Sequence, residues 1–185
     1  MGIRLDPLST VLLLVTTIIG LAVTFYARDY LSPQNRFHPM EGGKRRFYLW
    51  HLLFVGAMVG VALSPNFLQM FIFWELTTIC SWALISYYHN HESLEAGFEA
   101  LIKTFFGGIF FLIALIVLFV NTGSFGFDAI NLLTPQLKTA VFILFLIAAW
   151  AKSSQIVFFA WLPNAMAAPT PVSCYLHAAA MVKAG

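Results

Sequence analysis

Asn66-Phe67-Leu68-Gln69-Met70-Phe71-Ile72-Phe73-Trp74-Glu75-Leu76-Thr77-Thr78-Ile79-Cys80-Ser81-Trp82, with its continuation to Tyr88, is an apolar run that carries a carboxylate, Glu75, near its middle. A helix rises ~1.5 Å per residue and a bilayer's hydrocarbon core is ~30 Å thick, so ~20 mostly apolar residues make one span. A second run contains Ala148-Ala149-Trp150-Ala151-Lys152-Ser153-Ser154-Gln155, with a lysine in it. An unpartnered charge at membrane depth costs about 2.5 kcal/mol or more. A chain that places one charge of each sign there is expected to use them to move ions or protons.

The composition agrees with a membrane protein. Hydrophobic residues make up 60% of the 185-residue chain and charged residues 10%, where a soluble domain carries roughly 25% charged residues. Mean hydropathy is +0.83. The apolar runs are long and do not alternate, which predicts helices rather than barrel strands. The expected fold class is all-α, a polytopic transmembrane helix bundle forming a single transmembrane domain over residues 1–185. Five full spans are expected at about 8–27, 47–64, 66–88, 98–120 and 137–160, with a partial sixth at 172–185. The last run has only 14 residues and no helix-stop signal, so the chain is expected to be a fragment or one product of a split gene. The first run lacks a small-residue cleavage site and reads as a span, not a signal peptide. Cys80 and Cys174 lie in apolar runs with no CxxC spacing, so they are expected to pack rather than to bind metal or form a disulfide.

Basic residues set the orientation. Arg28, Arg36, Lys44, Arg45 and Arg46 fall between the first and second runs, against Arg4 and Lys138 on the other side. The positive-inside rule puts the Arg28–Arg46 loop in the cytoplasm and the N-terminus outside. The spans with Glu75 and Lys152 then run in the same direction. The His89–Glu99 stretch, with His89, His91, Glu92 and Glu95, reads as a solvated acidic loop rather than a metal site.

Several positions predict interrupted helices. Gly107-Gly108 lies near the start of the fourth span. Pro163 ends the fifth, and Pro169 and Pro171 follow it. Broken backbone at membrane depth is tolerated beside protein or water, and it recurs next to buried charges in transporters. Ser153, Ser154 and Gln155 follow Lys152 and suit freed carbonyls or water; interhelical adhesion is the plainer alternative. His177 and Lys183 lie six positions apart, about 240° around a helix, so they face different sides. His177 suits a proton relay, with a simply hydrogen-bonded histidine as the alternative. Glu99 and Lys103 are spaced for an i,i+4 pair.

These residues carry a family resemblance. Phe73-Trp74-Glu75-Leu76-Thr77 is similar to the FWEL(T/S) segment of the antiporter-like subunits shared by respiratory complex I (NADH dehydrogenase chain 5 type), Mrp-type Na+/H+ antiporters and membrane-bound hydrogenases. Lys152-Ser153-Ser154-Gln155, Trp161-Leu162-Pro163-Asn164-Ala165-Met166, Ala168-Pro169-Thr170-Pro171-Val172-Ser173 and Leu176-His177 through Gly185 resemble that family's KSAQ, WLPDAM, APTPVS and LH…MVKAG elements in order. Leu5-Asp6 and Gly56-Ala57-Met58 also fit, so the likeness covers essentially the whole chain. The resemblance implies a subunit of about fourteen helices with two inverted five-helix repeats, of which this chain matches the third to eighth helices and so one repeat with its last helix cut short. It implies that Glu75 is the fifth-helix glutamate, Lys152 the lysine of the broken seventh helix, and His177 the eighth-helix histidine. Lys183 joins the expected proton-transfer set from the residues alone, with snorkelling to an interface as its alternative. Asn164 departs from the usual aspartate, and Phe158 and Phe159 from smaller or polar residues.

Side by side, a buried lysine and glutamate favour their ionised forms; apart in a dry site, each favours its neutral form. The expected function is therefore proton or Na+/H+ translocation through Glu75 and Lys152 along a water path toward His177. The driving chemistry would come from other membrane subunits of the same complex. No cofactor is expected, nor any redox or catalytic site in this chain: two cysteines are too few for a cluster that wants four thiolates. Expected partners are those subunits, lipids, and H+ with Na+ as the alternative ion, with no nucleic acid; the expected location is a bacterial or archaeal cytoplasmic membrane, or an organelle inner membrane. A structural subunit with a static buried ion pair, and a redox subunit with its own quinone site, are the competing classes.

Overall fold

The long helices begin where the sequence supplies a cap for their first orphan amides. The computed structural model describes residues 2–35, 42–176 and 181–185. Helix α1 (Pro7–Tyr30) starts on Asp6, whose carboxylate accepts from the Ser9 amide at 2.8 Å while Ser9 Oγ accepts from the Asp6 amide at 2.7 Å. This is a reciprocal capping arrangement. The Ser9 amide holds the Asp6 carboxyl below its ordinary pKa. Helix α2 (Lys44–Ala62) follows Gly43, whose φ of 89° suits glycine. Helix α3 (Phe67–Ile85) is capped by Asn66 through the Gln69 amide at 2.8 Å. Asn90 caps α4 (His91–Thr122) in the same way through the Ser93 amide at 2.8 Å. Helix α5 (Pro135–Lys152) begins on a proline, which has no amide to leave unsatisfied. Two short helices, α6 (Trp161–Asn164) and α7 (Thr170–Cys174), follow.

Four described segments are long and apolar enough to cross a membrane: Pro7–Tyr30, Phe67–Tyr88, His91–Thr122 and Pro135–Phe158. Helix α2, with 19 residues, begins on Lys44-Arg45-Arg46 and so mixes a basic end with an apolar body. The chain is an all-α polytopic bundle.

Helix α4 packs against both α3 and α5. Its buried face includes Ser93, Ala96, Gly97, Ala100, Thr104, Gly107 and Gly108, a stripe of small residues that lets neighbouring backbones approach. A Cβ on Gly107 would stand 2.6 Å from the Ala151 Cβ of α5. The expectation that Gly107-Gly108 interrupts the fourth span is therefore corrected: α4 is continuous across both, and the pair provides close contact instead of a break. A second correction concerns His89–Glu99. From His91 onward this stretch is the first turns of α4, because the Asn90 cap lets the helix begin before its apolar part. His91 pairs with Glu95 one turn on, at 3.4 Å, in the exposed part of the helix. Among the described residues, no group of three metal-ligating side chains comes together.

Phe47, Phe54, Met58, Leu84, Trp161 and Tyr175 belong to a core shared by α2, α3 and the segments after α5. A second cluster, Val61, Trp74, Phe111, Leu115 and Ala148, lies where α2 to α5 meet. At the basic end of α2, Arg46 bonds His89 and the Tyr87 carbonyl, with its guanidinium 4.9 Å above the Tyr87 ring. This ties the start of α2 to the end of α3.

Candidate functional site

Lys152 is the last residue of α5 and is completely buried. A helix C-terminus is the negative end of its dipole, so an ammonium is better tolerated there than mid-helix. The side chain reaches across to α3. Its Nζ donates to the Trp74 carbonyl at 2.9 Å and to Thr78 Oγ1 at 2.7 Å, and it lies 5.2 Å from the centre of the Trp74 indole. Hydrogen bonds from a charged donor are worth about 1.5–3 kcal/mol each, and an ammonium over an indole adds a favourable contact.

Glu75 sits between Trp74 and Thr78 in sequence but points elsewhere. A Cβ on Gly108 would lie 2.9 Å from the Glu75 Cδ and overlap Oε1, so the carboxylate is seated against the bare backbone of α4. Both carboxylate oxygens are buried and accept no hydrogen bond among the described residues. Glu75 and Lys152 form no direct ion pair, although the lysine docks on the residue just before Glu75 and on the one three after it. Among the described residues, ion pairs form at Arg4–Asp6 and Lys103–Glu99. The structure therefore brings Lys152 to the helix that carries Glu75, within one turn of it, without joining the two charged groups.

The chain breaks immediately after Lys152. Ser154 and Ile156 both have positive φ, 54° and 50°, a conformation that is uncommon for ordinary residues and strained for a β-branched one. Ala149 O keeps its ordinary helical bond from the Ser153 amide at 2.8 Å, and the next two carbonyls find other donors: Trp150 O accepts from the Gln155 amide at 2.9 Å and Ala151 O from the Trp161 indole at 3.0 Å. Ser154 Oγ donates to the Phe158 and Phe159 carbonyls, and Ser153 Oγ to the Val182 carbonyl at 2.9 Å. The Gln155 side chain is exposed.

Pro163 lies inside α6, Pro169 precedes α7 and Pro171 is in its first turn. The sixth apolar run is helical at Thr170–Cys174 and a 3-10 turn at Met181–Lys183. His177 lies outside the described residues. Lys183 is exposed and lines a cavity of about 330 Å³ with Arg4, Asp6, Ser9 and Ser64. Glu99 pairs with Lys103 and accepts from Asn164 Nδ2 at 2.5 Å. Cys80 is buried, whereas Cys174 is exposed, so packing accounts for the first alone.

Sequence reading missed His51. It is fully buried on α2, with Nε2 3.2 Å from Gly20 O and 3.1 Å from Thr24 Oγ1 of α1, and its ring is stacked on Phe47 and edge-on to Tyr175. The signal was available: a lone histidine in the 47–64 apolar run invites the same question as Glu75. Thr78, the lysine's hydroxyl partner, carried no comparable signal.

Residues 64–185 match the family described as NADH:quinone oxidoreductase/Mrp antiporter, TM, and residues 1–48 match the chain 5 N-terminus of NADH-ubiquinone oxidoreductase (complex I). The chain belongs to this family. Putative antiporter subunits mnhA2 of two Staphylococcus aureus strains, MRSA252 and USA300 / TCH1516, are 42% and 43% identical to it over 99% and 100% of its length. The chain spans 23% of the length of each. Among solved structures, a chain of the Mrp complex from Dietzia sp. DQ12-45-1b superposes with a TM-score of 0.88 at 35% identity, covering 98% of this chain and 20% of that one. A chain of the membrane-bound sulfane sulfur reductase, an archaeal respiratory membrane complex, shares the fold at a TM-score of 0.84 and 21% identity, covering 98% of this chain and 37% of that one. The chain is thus an integral membrane protein of the antiporter-subunit family, and relatives of known structure are parts of multisubunit membrane complexes.

Proposed function

We propose that this chain forms part of a proton- or Na+/H+-translocating antiporter-like subunit, in which Glu75 and Lys152 are the proton-handling pair. The observation that carries the reading is the completely buried Lys152 amine at the broken end of α5, docked on α3 beside Glu75, whose buried carboxylate oxygens have no hydrogen-bond partner among the described residues. An acid and a base held in one interior but left unjoined suit a pair that opens and closes. A change in either partner's charge alters the attraction between them, so proton binding and side-chain movement become linked. The alternative, a static ion pair fixing helix register, calls for a direct bond that Glu75 does not make. The break at Ser153–Gln155 supports the reading because an interrupted helix beside a buried charge is a recurring feature of transporters. His177 continues the path from Lys152, with Lys183 beyond it. The partners are other membrane subunits of the same complex and the surrounding lipid, and the transported ions are H+ and, in exchange, Na+. The basic Arg28–Arg46 stretch faces the cytoplasm and the N-terminus faces outward, in a bacterial or archaeal cytoplasmic membrane.

The test is ion flux in vesicles carrying the complete complex, with assembly followed on native gels. Glu75→Gln keeps the volume and removes the titratable charge, and Lys152→Ala removes the ammonium. Each is expected to abolish or sharply reduce flux while assembly persists. Normal flux in both variants would overturn the transport role and leave a structural pair.

A further inference from the structure

We infer that Thr78 is a positioning residue for Lys152, holding the lysine on α3 away from Glu75 and so setting how readily the two engage. The inference rests on the proposed proton-handling role of Lys152 and adds the element that controls it. Thr78 is fully buried, and its Oγ1 is 2.7 Å from the lysine Nζ. A threonine inside a helix ordinarily donates to the carbonyl four residues back. Here that carbonyl belongs to Trp74, and Thr78 reaches it only at 3.4 Å, because Thr77 Oγ1 at 2.6 Å and Lys152 Nζ at 2.9 Å already occupy the same oxygen. A carbonyl has two lone pairs. The Thr78 hydroxyl proton is therefore the weakest-held of the three side-chain donors and the freest to turn.

That freedom matters because a hydroxyl serves both forms of the amine. It accepts from an ammonium and donates to a neutral amine, whereas the Trp74 carbonyl can only accept. Thr78 thus keeps the lysine docked on either side of a proton transfer, without losing a proton itself. The charged form is held more strongly, since a charge-assisted bond is the stronger one. Glu75 competes for the same ammonium from its seat against Gly108. On α3, the titratable side chains within one turn of Thr78 are Glu75 and Cys80. No other hydroxyl or carboxylate in the described structure contacts Nζ, so Thr78 and the Trp74 carbonyl are its hydrogen-bonding dock.

The experiment compares Thr78→Val, Thr78→Ala, Thr78→Ser and Lys152→Ala in the full-length subunit within its complete complex, reading ion flux against pH with a native-gel assembly check. Val keeps the shape and removes the hydroxyl; Ala removes it without added bulk, should Val disturb packing; Ser restores it. Loss of one charge-assisted bond displaces the flux profile along the pH axis by about one to two units in both hydroxyl-free variants. Thr78→Ser should follow the wild-type profile. Profiles of Thr78→Val and Thr78→Ala that superimpose on wild type, with Lys152→Ala inactive, overturn the inference and leave the transport reading standing. A Thr78→Ser profile displaced as far as that of Thr78→Val also overturns it, because the methyl and not the hydroxyl would then matter. Full flux in Lys152→Ala overturns the transport reading, and this inference falls with it.

Discussion

Gly108 of α4 leaves the space that the Glu75 carboxylate of α3 fills: a Cβ there would overlap Oε1. The absence of a side chain on one helix thus decides where the charge on the next one sits. Its neighbour Gly107 does the same toward α5, where Ala148 and Ala151 press against it just before Lys152. Both members of the charge pair are therefore positioned by the same two residues of α4.

Gly108→Ala is expected to displace Glu75 or to spread α3 from α4. Overpacking of this kind costs typically 1–3 kcal/mol. Flux should fall along with thermal stability in detergent. Gly56→Ala is the control, because nothing lies within 4 Å of a Cβ built there. Equal behaviour of the two variants would show that the α4 seat is not needed.

Much of this was legible in the sequence, and the exceptions have physical causes. The helices and the two buried charges follow from the cost of placing polar groups in lipid, which composition reveals directly. Gly107-Gly108 was misread because a glycine pair in a helix signals either a break or a close approach, and only the neighbouring helix decides which. The start of α4 was placed too late because hydropathy finds where lipid begins, whereas the Asn90 cap fixes where the helix begins. Thr78 was invisible because its role exists only once α5 delivers Lys152 to it.

His51→Phe should cost stability without touching flux. The buried Nε2 meets Gly20 O and Thr24 Oγ1 of α1, so replacing it removes polar contacts worth about 0.5–1.5 kcal/mol each. The ring stack on Phe47 is kept. Thermal unfolding of the assembled protein should shift downward while vesicle flux stays at the wild-type level once corrected for assembly. A flux loss as large as that of Glu75→Gln would instead put His51 on the ion path.

Asp6 gives a pH dependence at the start of α1. Its folded-state pKa is depressed, first by the Ser9 amide bond, so its contribution is present above the ordinary carboxyl value and is lost as pH falls through the folded one. Hydrogen-exchange protection of the first turn of α1 should drop on acidification below about pH 4 in the wild type. Asp6→Ala should show the low protection already at neutral pH. Protection that ignores both acid and the substitution would remove the cap from the account of this helix.

Trp161→Phe should loosen the broken end of α5. The indole is fully buried and donates to Ala151 O at 3.0 Å, one residue before Lys152. Phenylalanine fills most of the volume but offers no donor, at a cost of about 1–3 kcal/mol for the weakened satisfaction of a buried carbonyl. Amide exchange at Ser153–Gln155 should quicken more than exchange at the middle of α5. Uniform exchange along the helix would show that the indole bond does not hold the break.

Asn164→Asp introduces the residue the family usually carries, yet here it should destabilise. Asn164 donates from Nδ2 to Glu99, and Glu99 also binds Lys103 one turn along α4. Replacing the amide with a carboxylate exchanges a donor for a second negative charge facing the first. Lys103 can offset part of this repulsion but is already engaged by Glu99. The expected loss is about 1 kcal/mol, the range of a partly exposed charge contact, seen as a lower unfolding temperature at low salt that recovers as salt screens the pair. Glu99→Gln should be nearly neutral when combined with Asn164→Asp, because the amide restores a donor opposite the new carboxylate. The double-mutant cycle then reports a coupling between positions 99 and 164 that strictly additive effects would deny. Additivity would mean that the Asn164–Glu99 contact carries no energy, and that the departure from aspartate has no connection to Glu99.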